Sequence, residues 1–391
     1  MICPKIQNTL FLSCKGLAFK IGFAAHVFFI YLSMTTSRFL YRLRQLIISL
    51  LLFVPVSLLS QLEQQDVRHV DTIDTSMDIF ETEDPMKITL TLDLKKFRKE
   101  KFKGEYMPVQ FLYEFNDTLV LEKEMRMKAR GAFRRSHCSL APFWLNIRKA
   151  DVENVHLQDV KKIKVVTNCM GSKAYNEYVL KEYLAYKIYN IISPISFRVR
   201  LVRMTYVDTG RKNKITEGWA FLIEPEEMLA ERLDAVAVIN DELSMALMNP
   251  GDMDRVALFM YLIGNCDFSV TGRHNLKVLG MPGYGTGGYT PVPYDFDYTG
   301  LVNASYAVPG ETLGITSVRE RYYLGPCRKD EVYMAAIEHL NQYREDILQM
   351  VNDFEYIDQK HKKSVIQYLQ DYFALAGQHD MLKISLKLTC R

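Results

Sequence analysis

Apolar and polar residues alternate along four stretches of the chain: "MKITLTLDL" (86–94), "VQFLYEF" (109–115), "TLVLEKEMRMKARG" (118–131) and "FWLNIRK" (143–149). A period of two puts every second side chain on one face, so each stretch predicts a half-buried strand. "KKIKVVTN" (161–168) predicts another short strand. The period then changes. In "AYNEYVLKEYLAYKIYNII" (174–192) Tyr175, Val179, Tyr183, Tyr186 and Ile188 recur three or four apart, which predicts a helix with one apolar stripe. "FRVRLVRMTYVD" and "TEGWAFLIEP" read as a hairpin turning at "TGRKNK". Beyond Pro225 helical patterns dominate: "EEMLAERL", "DMDRVALFMYLIGN", "KDEVYMAAIEHLNQYREDILQMVNDF" and "KHKKSVIQYLQDYFALAG". Only "HNLKVL" and "TPVPYDFDY" interrupt them, as a strand pair across the Gly-rich "GMPGYGTGGY". The pattern predicts an α+β protein of two lobes, a β-rich 86–224 with one inserted helix and a mostly helical 225–391.

Charge changes the picture at the N-terminus. The 391 residues carry 49 basic and 46 acidic side chains, yet residues 1–60 hold Lys5, Lys15, Lys20, Arg38, Arg42 and Arg44 and no acid at all. The remainder is therefore slightly acidic, which argues against nucleic acid as a partner. "SRFLYRLRQ" followed by "LIISLLLFVPVSLLS" has the grammar of a basic n-region and an apolar h-region, ending at Ser60. Residues 1–60 read as a signal peptide or leader, with Met34 as the start and 1–33 as an upstream extension. The expected location is periplasmic, cell-surface or secreted. A membrane anchor built from the runs 21–33 and 46–60 is the alternative, the membrane being touched only through an uncleaved leader. The acidic, weakly periodic 61–85 reads as a linker. Cys138, Cys169, Cys266, Cys327 and Cys390 are an odd set, so at least one thiol stays unpaired unless two chains are bridged.

Candidate chemistry gathers in "GNCDFSVTGRHNLKVL" (264–279) and "PVPYDFDYTG" (291–300). Carboxylates beside Val, Leu and Phe are costly to bury unless something pairs with them. A hairpin would bring Asn275, at the start of its first strand, beside Asp295 at the end of its second, with Asp267 in the loop above. Phosphoryl transfer uses such a set: one carboxylate takes the hydroxyl proton, and an Asn and an Asp hold a divalent cation against nucleotide phosphates. Asp267 and Asn275 stand eight residues apart, not five, and no His-Arg precedes the Asp, so an ordinary protein kinase is excluded. The bland alternative is that these residues serve turns and cap strands. Kinases also pair a strand Lys with a helix Glu, an arrangement that Lys164 and Glu182 match by order and element type. Glu224, at the junction of the lobes, either faces the nucleotide or caps the next helix. The segment 303–328 lies where kinases place an acceptor-facing activation segment, with Arg319 and Arg321 as candidate anion receivers.

"RMKARGAFRR", "NEYVLKEYLAYKI", "GWAFLIEPEEM", "GNCDFSVTGRHNLKV" and "PVPYDFD" follow one another in the order found in the CotH family of spore-coat, atypical kinase-like proteins, which the chain resembles over roughly 85–350. The resemblance implies a two-lobed atypical protein-kinase-like fold with a nucleotide-binding 86–224 and a catalytic 225–391. It implies an exported enzyme that uses ATP with Mg2+ or Mn2+ to phosphorylate a protein or other hydroxyl-bearing acceptor. Asp267 would be the catalytic base, and Asn275, Asp295 and Asp297 the metal ligands. Arg130 with Gly131 would match the family's Arg-Gly pair, and Arg130 would join Lys164, Glu182 and Glu224 as the candidate nucleotide contacts. The chain departs from the family pattern with Tyr294 where Trp is common and with "AFRR" after Gly131. A non-catalytic envelope or coat protein on the same scaffold, a pseudokinase, is the competing expectation.

Overall fold

The computed structural model describes residues 68–70, 79–116, 119–146, 162–169, 173–240, 242–283 and 288–391. The expected leader, residues 1–60, lies outside them. The strands alternate as their sequences require. In β2 (Met86–Leu92) the residues Met86, Ile88, Leu90 and Leu92 are buried, and Val109, Phe111 and Tyr113 face the same interior from β3 (Met107–Asn116). Leu121, Met125 and Met127 of β4 (Leu119–Ala129), Phe143 and Leu145 of β5 (Phe143–Asn146), and Ile163 and Val165 of β6 (Lys162–Thr167) complete one wall. Val202, Met204 and Tyr206 of β7 (Val199–Asp208), with Ala220 and Leu222 of β8 (Lys214–Ile223), complete the other.

These strands close on themselves in the order β4-β3-β2-β7-β8-β6-β5, with β5 pairing back onto β4. All neighbours are antiparallel except β2 and β7, which run parallel from Met86↔Val202 to Leu92↔Asp208. A parallel pair needs a long crossover, and the chain supplies one through β3 to β6 and the intervening helix. The β-rich part is thus a closed barrel of seven strands, which is not a typical kinase N-terminal lobe. The stretch expected as a linker also joins the fold in part. Arg68–Val70 (β1) pairs parallel to Leu119–Leu121, and Ile79 and Phe80 are buried against the barrel core.

Outward-facing Leu201, Phe221 and Ile223 meet the helix expected at 174–192, and a second core forms there. After α1 (Leu94–Glu100) and the five-residue α2 (Phe133–His137), that helix is α3 (Ala174–Ile192). It is buried along most of its length from Glu177 to Ile192. α4 (Glu226–Arg232) leads into the buried α5 (Pro250–Ile263), which begins with Pro250 at its first turn and the Asn249 side chain accepting from Asp252 N–H. α5 stops at Gly264, whose φ of 66° is left-handed. A Cβ there would stand 2.0 Å from Tyr368 Oη, so no other residue fits. The expected hairpin follows as β10 (Leu276–Gly280) and β11 (Thr290–Pro293), joined at its edge by β9 (Val236–Ala237).

The single helix expected over 329–354 is two, α6 (Asp330–Asn341) and α7 (Arg344–Asp353), parted at Gln342 and Tyr343. α8 (Gln359–Ala376) matches its pattern. α9 (His379–Thr389), unforeseen, buries Leu382 and Leu386, and a disulfide from Cys327 to Cys390 ties its end to the chain ahead of α6. A mixed α+β architecture is what the alternation and helical periods called for; the closure of the barrel is not.

Candidate functional site

The β10–β11 hairpin delivers the acidic residues as expected. The ladder runs Leu276↔Pro293 and gains one further bond, Tyr294 N–H donating to Asn275 O at 3.1 Å. The next residues leave the sheet sharply: Asn275 has φ 54° and Asp295 φ 63°, both left-handed. Non-glycine residues there cost free energy, Asn and Asp least, and such strain collects at functional sites. Tyr186 of α3 holds the second turn, its hydroxyl accepting from Asp295 N–H at 2.9 Å.

Asp267 follows the end of α5. Its N–H donates to Asn265 Oδ1 at 2.8 Å, and Asn275 Nδ2 donates to its carbonyl at 2.6 Å. The carboxylate itself stays free of the core. Its side chain is 47% exposed, with His274 Nε2 3.1 Å from Oδ2. Behind it Glu182 and Asp297 are buried and Asp295 is half-buried. One oxygen each of Glu182, Asp295 and Asp297 lies within 4.8 Å of the others.

The residue that holds this buried group together is Arg134, on α2. Its Nη2 donates to Glu182 Oε2 at 2.5 Å and its Nε to Asp297 Oδ2 at 2.8 Å. Tyr306 Oη also donates to Asp297 Oδ2, at 3.1 Å. Burial pushes Glu182 up to about 8, against the pull of Arg134 and with the repulsion of Asp297 and Asp295. Burial raises Asp297 as well, Arg134 opposing. Sequence reasoning missed Arg134, treating "AFRR" only as a departure from a family pattern, and missed Tyr306. No local signal marks either, because the partners of Arg134 are 48 and 163 residues away.

Two hollows meet over these residues. One, of about 320 Å³, is lined by Arg130, Gly131, Phe133, Arg134, Asp267, His274, Asn275, Asp295, Asp297 and Tyr298. The other, of about 270 Å³, shares Arg130 and adds Trp144, Lys162, Lys164, Glu226, Lys277 and Tyr294. Gly131 has φ 86°, which lets the chain turn from β4 into α2 at the rim. A disulfide from Cys138, just after α2, to Cys169, just after β6, pins that turn to the barrel. Among the described residues Cys266 is the unpaired thiol, buried.

Lys164 Nζ lies 4.7 Å from the centre of the Tyr294 ring and 5.6 Å from that of Trp144. Burial brings its pKa down to about 7, with Arg130 and Lys277 repelling its charge and Asp295 favouring it. The expected pairing of Lys164 with Glu182 is corrected: Glu182 takes Arg134 in its place. Glu224 is corrected too. It lines neither hollow, being fully buried under Arg198 Nε at 2.8 Å and Arg232 Nη2 at 3.0 Å, where it locks the end of β8 to α4. Arg319 and Arg321 are likewise committed elsewhere. Arg319 donates to Gly300 O and Arg321 to Leu262 O and Tyr368 O, and both guanidiniums stack on the Tyr368 ring at 4.1 and 3.9 Å.

Metal-ligating capacity can be judged from the donors themselves. Three carboxylates face one cation-sized space with a single Arg between two of them, and Glu182 Oε1 is buried with no hydrogen-bond partner. Hard oxygen donors with surplus negative charge and an orphaned oxygen fit Mg2+ or Mn2+.

No family model matches the chain, and no curated protein matches it. Among solved structures, the Helicobacter pylori proinflammatory kinase CtkA is similar at 11% identity, over 73% of this chain and 98% of that one, with a TM-score of 0.33. Backbones that differ this much support no transfer of function between the two.

Proposed function

We propose that the chain is a kinase-like phosphotransferase of the kind its CotH-like motifs point to. It would move the γ-phosphate of ATP to a hydroxyl of a protein or small acceptor, with Mg2+ or Mn2+. The observation that carries the reading is the pair of hollows joined at Arg130. One offers aromatic rings and cations, the other an exposed carboxylate over a buried acidic cluster. That division suits a nucleotide whose phosphates cross from the first to the second.

Lys164 and Arg130 would bind phosphate oxygens, and a phosphate beside Lys164 would favour its charged form. Asn275 and Asp295 would hold the cation, with Asp297 and Glu182 adding charge behind them; when bound, it neutralises phosphate charge in the transition state. Asp267, exposed and fixed by Asn265 and Asn275, takes the acceptor's hydroxyl proton. The acceptor oxygen bonds to the γ-phosphorus as the bond from phosphorus to the β,γ-bridging oxygen breaks, and ADP leaves. His274, 3.1 Å from Asp267 Oδ2, would orient that carboxylate.

The second reading, a nucleotide-binding scaffold without transfer, draws on the loss of the Lys164–Glu182 pair. Thermal melts with ATP and Mg2+ or Mn2+ test binding, because a ligand of the folded state raises its stability by mass action. Phosphate transfer to a hydroxyl acceptor then separates enzyme from scaffold. The absence of any metal-dependent nucleotide shift would overturn both. Export is part of the proposal, supported by the basic-then-apolar leader and by two disulfides that suit an oxidising compartment. N-terminal sequencing of the secreted protein should begin near Gln61; retention of "LIISLLLF" in membranes would favour the anchor.

A further inference from the structure

A second set of ligand-bearing side chains lies where the N-terminal turns of α3 and α8 meet. None of the three lines the cleft. Glu177 comes from α3; Asp358 caps α8, and His361 follows in its first turn. The cap sets the geometry. Asp358 Oδ1 accepts from His361 N–H at 2.9 Å, which leaves Oδ2 turned to the imidazole, 2.9 Å from Nδ1. Glu177 Oε2 approaches the same nitrogen at 3.4 Å, and one ligand atom from each residue lies within 4.8 Å of the other two.

The cluster is incomplete as it stands. Glu177 is only 6% exposed, yet its Oε2 is buried with no hydrogen-bond partner and meets His361 Nδ1 at 3.4 Å. Leaving a buried carboxylate oxygen unsatisfied is expensive, so such an atom asks for a partner. The nearby cation of α3, Lys181, gives its hydrogen bond to Val302 O at 3.1 Å. Glu177 Oε2, His361 Nδ1 and Asp358 Oδ2 thus point at one space from α3 and from the start of α8.

We propose that Glu177, Asp358 and His361 bind a zinc-class divalent cation that clasps α3 to α8. One imidazole nitrogen with two carboxylate oxygens is a borderline donor set, suited to zinc more than to Mg2+ or Ca2+. The Asp358 side chain is 45% exposed, so solvent reaches the site to supply the fourth ligand of a tetrahedral ion. The clasp is independent of the phosphotransfer reading, and it stiffens the helix that presents Glu182.

Zinc alone, added to the full chain without nucleotide, should raise its melting temperature and bind in calorimetry. His361→Gln and Glu177→Gln should each weaken that binding at least about 10- to 100-fold, the loss seen even for residues that only support a metal ligand. His379→Gln, at the exposed start of α9 beyond the far end of α8, should leave it unchanged. X-ray absorption of the zinc-loaded wild-type chain should show one imidazole nitrogen, a readout that needs no variant to fold. Unchanged zinc affinity in His361→Gln, an all-oxygen zinc shell, or no zinc-dependent shift in the wild type would each overturn the clasp.

Discussion

Replacing Arg134 with Met keeps the length of the side chain and removes its charge, and the structure says where the cost falls. Arg134 is 9% exposed and bonds Glu182, fully buried, and Asp297, 8% exposed. Its removal leaves two buried carboxylates facing Asp295 with no cation among them. Breaking a buried ion pair from one side costs about 3–5 kcal/mol. That cost should depend on pH in a definite direction. A carboxyl raised in the folded state binds more protons folded than unfolded, so stability falls as pH rises from the ordinary carboxylate range through the raised value. Glu182 already stands at about 8 with Arg134 present, and without it both groups rise further. Urea unfolding should therefore show the loss widening as pH rises past about 8, where Glu182 ionises beside Arg134 but not without it. Near pH 5, where Glu182 is protonated with or without Arg134, the loss should shrink toward the roughly 1 kcal/mol of a lost hydrogen bond. Glu182→Gln should cost less in the Arg134→Met background than alone, with a coupling of about 0.5–3 kcal/mol. A deficit that does not change with pH, or strict additivity of the two changes, would refute the account of Arg134 as the counter-charge of this cluster.

Asp267→Asn should retain metal-dependent nucleotide binding but lose about 10²–10⁴-fold in transfer, since an amide takes no proton; undiminished turnover would remove Asp267 from its role. Asp295→Asn should weaken nucleotide binding itself in titrations with Mn2+, and Asn275→Ala should do so more mildly. Lys164→Met should abolish nucleotide binding yet stabilise the free protein. The wild-type amine is lowered to about 7, so the unfolded chain binds the extra proton between about 7 and 10.5 and stability climbs with pH across that window. The gain, on the order of 5 kcal/mol, should be full below pH 7 and vanish toward 10.5; parallel pH profiles would contradict it. Replacing Cys138 and Cys169 with Ser should cost about 2–5 kcal/mol and blunt nucleotide affinity, measured by reducing-agent-free melts, because the bridge pins α2 and Arg134.

What could be read from the sequence was what short range decides. The period of two gave the barrel strands their inward faces, and the 3.6-residue period gave α3 its bounds. The hairpin argument placed Asn275 beside Asp295, since antiparallel pairing forces the start of one strand next to the end of the other. The order of strands around the barrel was not readable: alternation states which face is buried, not which neighbour lies alongside. β1 and Ile79–Phe80 sit in an acidic stretch whose few apolar residues have no period, so they passed for linker. α6 and α7 share one helical period across a break that depends on packing at Gln342–Tyr343. Glu224 and Glu182 illustrate the remaining gap. Glu224 reads as a carboxylate at the junction of the lobes and Glu182 as a helix carboxylate for Lys164, but the partners of both are set by tertiary contacts with Arg198, Arg232 and Arg134.

The left-handed turns at Asn275 and Asp295 also constrain how this protein can change over generations. Only Gly, Asn and Asp occupy such backbone positions at small cost, while β-branched residues are heavily penalised. Folding alone therefore favours three amino acids at both sites, two of which can still hold a cation. A lineage released from selection for chemistry would drift there first to glycine, losing the ligand while keeping the turn. The route back is then a single substitution into a backbone already bent to receive it, so inactive descendants of this scaffold would remain close to active ones.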